Sequence, residues 1–107
     1  MVKRIANWSA REFVKRRKEF KGNNTWGTWN HNRTRFTVYS YGNHHPLFIY
    51  DDFTGTWFEN GTRVSRTTSK HRSQLHPLCD THVLSTADMC IVERDGAVGL
   101  IEKGVQV

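Results

Sequence analysis

Between Arg33 and Thr68 the β-compatible stretches are joined by links of a few residues only, and this restricts the chain to antiparallel pairing there. A parallel neighbour would need a crossover of roughly a dozen residues or more. Arg33 to Tyr41 alternates, with Phe36 and Val38 on one side and Thr37, Tyr39 and Tyr41 on the other, which predicts a first strand. Gly42 to Pro46 turns the chain, and Leu47 to Tyr50 forms a short apolar second strand before Asp51, Asp52 and a turn at Gly55. Thr56 to Glu59 and Thr62 to Thr68 flank Asn60-Gly61, the dipeptide suited to a type I′ hairpin, which predicts strands three and four. The expected sheet over residues 33–68 is a four-stranded antiparallel meander.

Helix signals flank it. Ser9-Ala10-Arg11-Glu12 fits a capping box, with Trp8 and Phe13 as a hydrophobic staple and Gly22 as a left-handed stop, so residues 1–22 are expected to carry a basic helix from Ala10. Residues 22–32 have no period and many turn formers, and read as a loop bearing Trp26 and Trp29. Ser85 to Asp88 repeats the cap pattern, with Leu84 and Met89 as a second staple, and predicts a short helix over 85–95. A hairpin across Asp95-Gly96 is the competing reading, because Ile91-Val92 and Ala97 to Ile101 are β-compatible. The 107 residues are expected to form one α+β domain: N-terminal helix, four-stranded antiparallel meander, short C-terminal helix.

Charge is distributed unevenly along this frame. Residues 1–35 hold ten lysines and arginines against Glu12 and Glu19, a net +8, whereas residues 36–62 hold only Asp51, Asp52 and Glu59. Arg63, Arg66, Lys70 and Arg72 form a second basic block, and residues 76–107 return to a net −3. Clustering of this kind is what lets a surface attract a polyanion. No apolar run approaches the roughly 20 residues that span a bilayer, so no membrane segment is expected. Two cysteines and no charged start followed by an apolar stretch point to a reducing, cytoplasmic setting.

The leading functional expectation is binding of DNA or RNA. Phosphates need lysine or arginine, and exposed aromatics supply platforms for unpaired bases. The candidate residues are Arg11, Lys15, Arg16, Lys18, Lys21, Trp26, Trp29, Arg33 and Arg35 in the first block, and Arg63, Arg66, Lys70, His71 and Arg72 in the second. Within the second, Arg66 to Gln74 carries hydroxyls, an amide, an imidazole and cations without one apolar side chain. The alternative is a protein-binding modulator of a host enzyme or defence system, using the aromatic sheet face of Tyr39, Tyr41 and Trp57 with arginines at the rim. A third class is a metal-free nuclease, with His71 and His44 or His45 as acid and base and Lys70 for the developing charge; no spaced acid-base motif supports it. His76, Cys79, His82 and Cys90 are ligands of zinc-binding type, but their spacing is not a standard one, and no metal or cofactor is expected. The sequence is compatible with a monomer or a homodimer.

Tyr39-Ser40-Tyr41-Gly42, His44 to Leu47, Tyr50-Asp51, Trp57-Phe58-Glu59-Asn60 and Ser65 to Gln74 together resemble a family of small bacteriophage-encoded proteins without an assigned activity. The resemblance spans residues 36–77, with a weaker echo in Leu84-Ser85, Met89, Gly96 and Val98-Gly99-Leu100. It implies work in an infected bacterial cytoplasm, on nucleic acid or on a host machine, and brings no catalytic residue with it. The basic N-terminal segment lies outside it.

Overall fold

The computed structural model describes residues 4–40, 46–62 and 66–104, with all side chains of these except Trp8 and residues 66–69. The elements are α1 (Asn7–Lys15), β1 (Phe20–Lys21), β2 (Thr25–Trp29), β3 (Arg35–Ser40), β4 (Pro46–Asp51), β5 (Thr56–Asn60), α2 (Arg66–Leu75), β6 (His82–Leu84), α3 (Thr86–Asp95) and α4 (Ala97–Lys103). The strands form one six-stranded sheet in chain order. β1 to β5 pair antiparallel, and β6 joins β5 in parallel.

Side-chain alternation puts two cores on the two faces of the sheet. Phe36, Val38, Phe48 and Trp57 face α1 and α2, packing with Ala10, Val14, Phe20, Leu47 and Leu75. Ile49 and Phe58, each one residue out of phase with its neighbour on the strand, face α3 and α4 and pack with Met89, Val92, Ala97 and Leu100. The α+β class and the three central strands β3, β4 and β5 agree with the sequence reading. Four features differ.

The N-terminal helix is shorter than expected. It ends at Lys15, and Arg17, with φ of 53°, takes the left-handed position that Gly22 was expected to fill. The Arg17 N–H donates to the Val14 carbonyl (3.0 Å) and the Lys18 N–H to that of Phe13 (2.8 Å), the paired bonds of a Schellman stop. Phe20 is thereby released into β1, and its ring still reaches Phe13, at 6.4 Å between centroids. Ser9 lies inside the helix, where its Oγ donates back to the Ala6 carbonyl (2.9 Å), and the N-cap is Ala6 with no side-chain bond.

Residues 25–29, expected to lie in a loop, form strand β2. Thr25, Trp26, Thr28 and Trp29 suit a pleated surface, and the turn formers delimit the strand at Asn24 and at Asn30 to Arg33 instead of excluding it. The Asn30 side chain accepts from the N–H groups of Thr34 (2.8 Å) and Arg35 (2.9 Å), which closes the turn into β3.

The expected fourth strand, residues 62–68, is replaced at its described C-terminal end by helix α2, which begins at Arg66. Asn60-Gly61 is not a hairpin turn: the Gly61 N–H donates to the Leu84 carbonyl (2.8 Å), continuing the parallel ladder with β6. α2 is the crossover that parallel pairing requires. Among its described side chains, His71 and Leu75, four residues apart, are the buried ones.

The C-terminal hairpin reading is also replaced. α3 follows its Ser85 cap as expected, and Gly96, with φ of 78°, then starts a second helix, α4, held to α3 by Lys103 on Asp88 (2.8 Å). Ser85 Oγ accepts from the Asp88 N–H (3.3 Å). Ser85→Ala should therefore cost about 1 kcal/mol in urea unfolding, and Ser9→Ala a few tenths at most. Equal costs for the two would contradict this assignment of the caps.

Candidate nucleic-acid interface

The Schellman stop places Arg16, Arg17 and Lys18 in a tight turn at the end of α1, next to Lys15, and Lys15, Arg16 and Lys18 are all exposed. Lys15 makes only a long contact with the exposed Glu12 (3.9 Å). The Arg17 carbonyl accepts from the Trp29 indole N–H (2.9 Å), which fixes the turn against the sheet. The Arg17 guanidinium lies over the Tyr50 ring (4.4 Å), and that of Arg33 over Trp29 (5.0 Å). Trp29, Phe36, Tyr50 and Trp57 are successive cross-strand partners, so the two arginines cover parts of one aromatic row.

Lys21 on β1 pairs with Trp26 and so faces the other side of the sheet from this row, and Arg4 bridges to it from the N-terminal segment. Glu19, between the α1 turn and β1 in the chain, accepts from Thr28 Oγ1 (2.7 Å) and from the Trp29 N–H (3.0 Å). Those two bonds, the Thr28 one foremost, hold its carboxyl below the usual carboxylate range. It is held against β2, and Arg4, Lys15, Arg16, Lys18, Lys21 and Arg33 remain as exposed cations.

Three other candidates, Arg11, Arg35 and Arg72, have structural partners. Arg11 donates through Nε to the His76 carbonyl (3.0 Å) and through Nη2 to that of Ser73, closing the C-terminal end of α2. Arg35 does the same for α3, with Nε on the Glu93 carbonyl (3.2 Å) and Nη2 on that of Arg94 (3.2 Å). Arg72 donates to the Asn60 carbonyl (2.9 Å) and lies 4.0 Å from Glu59. Lys70 is exposed on α2, beside α1 on the same face of the sheet. Arg63 and the side chain of Arg66 lie outside the described residues, as do His44 and His45. Arg17, Tyr50 and Arg4 were not among the candidates; the run Lys15-Arg16-Arg17-Lys18 was the signal for Arg17, whereas Tyr50 is brought in only by strand pairing.

His71 is 5% exposed, with Nδ1 2.8 Å from Ser40 Oγ on β3. Burial first, and Lys70 second, keep the imidazole below its ordinary value of 6.5. The unfolded chain thus binds more protons as pH falls below about 6.5, so the contribution of neutral His71 to stability is present above that value and is lost on acidification. Urea midpoints at pH 7.5 and 5.5 should show this loss, and His71→Asn should reduce the difference between them; an unchanged difference would dissociate the effect from His71.

Tyr39 and Trp57, expected on one aromatic face, point to opposite faces. Trp57 is 6% exposed in the α1/α2 core, whereas Tyr39 stacks on Trp26 (5.4 Å, 27°) and donates its hydroxyl to Glu93 of α3. Tyr41 is outside the described residues. Of the zinc-type residues, His76 accepts the Leu78 N–H at Nδ1 (2.9 Å) and turns Nε2 to Glu59 (3.0 Å), while the His82 ring lies on Phe58 (5.8 Å). Burial pushes the Cys79 thiol up, away from thiolate reactivity. Among the described residues no three His, Cys, Asp or Glu side chains gather as a metal site, and no helix is long and apolar enough to cross a membrane.

Comparison with protein families, with curated proteins and with solved structures gave no match.

Proposed function

We propose that this protein binds nucleic acid through the cationic end formed by the Lys15-Arg16-Arg17-Lys18 turn, Lys21 and Arg33, as an accessory factor in a phage-infected bacterial cell. The observation that carries the reading is the turn itself: four consecutive cations on a Schellman stop, Lys15, Arg16 and Lys18 exposed and Arg17 seated on an aromatic row that Arg33 also covers. Phosphate contacts from such a surface supply affinity with little base specificity, by release of condensed counterions. The ring contacts hold Arg17 and Arg33 in place before a strand arrives, which reduces the ordering needed on binding.

His71, buried against Ser40, suits packing between α2 and β3 better than proton transfer to a strand in solvent. A binding role is therefore preferred to a nuclease. Fluorescence anisotropy with labelled DNA and RNA, single-stranded and duplex, tests the proposal: log Kd should rise linearly with log salt concentration. Affinity that does not respond to salt, or no binding even at low salt, would overturn it and turn attention to a protein target.

A further inference from the structure

Helix α3 packs on β4, β5 and β6, and reaches β3 through the hydrogen bond from Tyr39 to Glu93. On the β1–β2 side of Tyr39 the same face of the sheet carries a groove of about 470 Å³ lined by Phe20, Lys21, Trp26, Gly27 and Thr28. Its volume is within the range of small-molecule sites, roughly 300–1,000 Å³. Gly27 contributes backbone to its floor: a Cβ there would point to the opposite face, within 2.6 Å of the Phe20 ring and 2.7 Å of the Phe36 ring, so the core on that side keeps the position without a side chain.

One wall of the groove is Trp26. It is half-buried, and its ring stacks nearly parallel on Tyr39, which holds it in one orientation and supports it from behind. Directly across the strand pair from Trp26 is Lys21, exposed, with the exposed Arg4 bridging to Lys21 along the outer side of β1. A flat aromatic platform with a cation at its rim matches a nucleotide: the base lies on the ring, and the phosphate meets the ammonium.

We infer that this groove is a stacking site for an unpaired base of single-stranded DNA or RNA, with Trp26 as the platform and Lys21 on the adjoining phosphate. The inference rests on the nucleic-acid reading above and narrows it to unpaired strands. The cationic end of α1 lies across the sheet edge from the groove, so the two sites divide the work. The Lys15 to Lys18 turn acts on any phosphate backbone, and the groove accepts only a base free of its partner. A duplex base, stacked on both sides, has no face to offer Trp26.

The test compares labelled oligothymidine with a duplex of the same length, for the whole protein and for Trp26→Ala and Trp26→Phe. Trp26→Ala should weaken single-strand binding by about 10- to 100-fold and leave duplex binding within about twofold, and Trp26→Phe should recover most of the loss. Single-strand addition should also quench tryptophan emission in the native protein, and less so in Trp26→Phe. Circular dichroism of each variant separates a lost platform from a lost fold; if Trp26→Ala is unfolded, the Trp26→Phe quenching decides. Equal weakening for strand and duplex, or quenching unchanged by Trp26→Phe, overturns the groove while leaving the cationic surface standing. A native protein that binds neither probe overturns both readings.

Discussion

Reversing Lys15, Arg16 and Lys18 to glutamate together is expected to weaken nucleic-acid binding by at least about 100-fold at moderate salt and to lower the salt slope by about 3. The three side chains are exposed and make no bond to the core; the single contact among them is the 3.9 Å approach of Lys15 to Glu12. Their replacement should therefore leave stability within about 0.5 kcal/mol of the native protein. That separation makes the experiment informative, because a loss of binding then reports surface charge and not folding. The control is Arg11→Glu. Arg11 belongs to the same helix and would be counted with the same charge, yet its guanidinium closes the end of α2 through the carbonyls of Ser73 and His76. Its reversal should lower the unfolding midpoint more than it alters binding per unit charge. Anisotropy titrations over a salt series, beside urea unfolding of the same samples, check both statements. Binding retained in the triple variant would remove the α1 turn from the interface.

The second large effect is expected at Asn60. It is 2% exposed, and its Nδ2 donates to the Pro46 carbonyl (3.0 Å) and to Thr86 Oγ1 (3.1 Å) while its Oδ1 accepts from the Thr62 N–H (2.9 Å). One amide thus joins the start of β4, the end of β5 and the first turn of α3. Asn60→Ala leaves a buried carbonyl and an N–H without their partner, and Asn60→Asp removes both donations and adds a charge facing the Pro46 carbonyl. Each should cost about 2–4 kcal/mol and lower Tm by roughly 10 °C or more. A type I′ hairpin at this position would accept aspartate almost as readily as asparagine. Urea unfolding of Asn60→Asp thus separates the two structures: a change below about 0.5 kcal/mol would favour the hairpin, and a large one the parallel ladder with β6.

The same residue shows where local reading stops. The turn preference of Asn60-Gly61 is real, but the Gly61 N–H finds a better-placed acceptor on β6, more than twenty residues later, and local preference yields to a nonlocal ladder. α2 was hidden for a related reason. Among its described side chains the buried ones are His71 and Leu75, and a histidine bonded to a buried serine carries no apolar period. In the candidate site, the cations Lys15, Arg16 and Lys18 could be named from composition alone, whereas Arg17 between them was passed over. That Arg11, Arg35 and Arg72 are committed to backbone carbonyls was not legible, because nothing in their spacing tells a capping arginine from a free one.

The sequence by itself determined the strands β3 to β5, with Phe36 and Val38 on a common face, the Ser85 cap of α3 and the concentration of charge in the first 35 residues. These follow from alternation, from hydrogen bonding within a few residues and from counting. Only the tertiary structure decided that residues 25–29 extend the sheet, that Tyr39 and Trp57 part to opposite faces, and that the basic residues divide between helix-closing and exposed ones. Each depends on a partner distant in the chain, and the energy of a long-range contact is not written in either of the segments that make it.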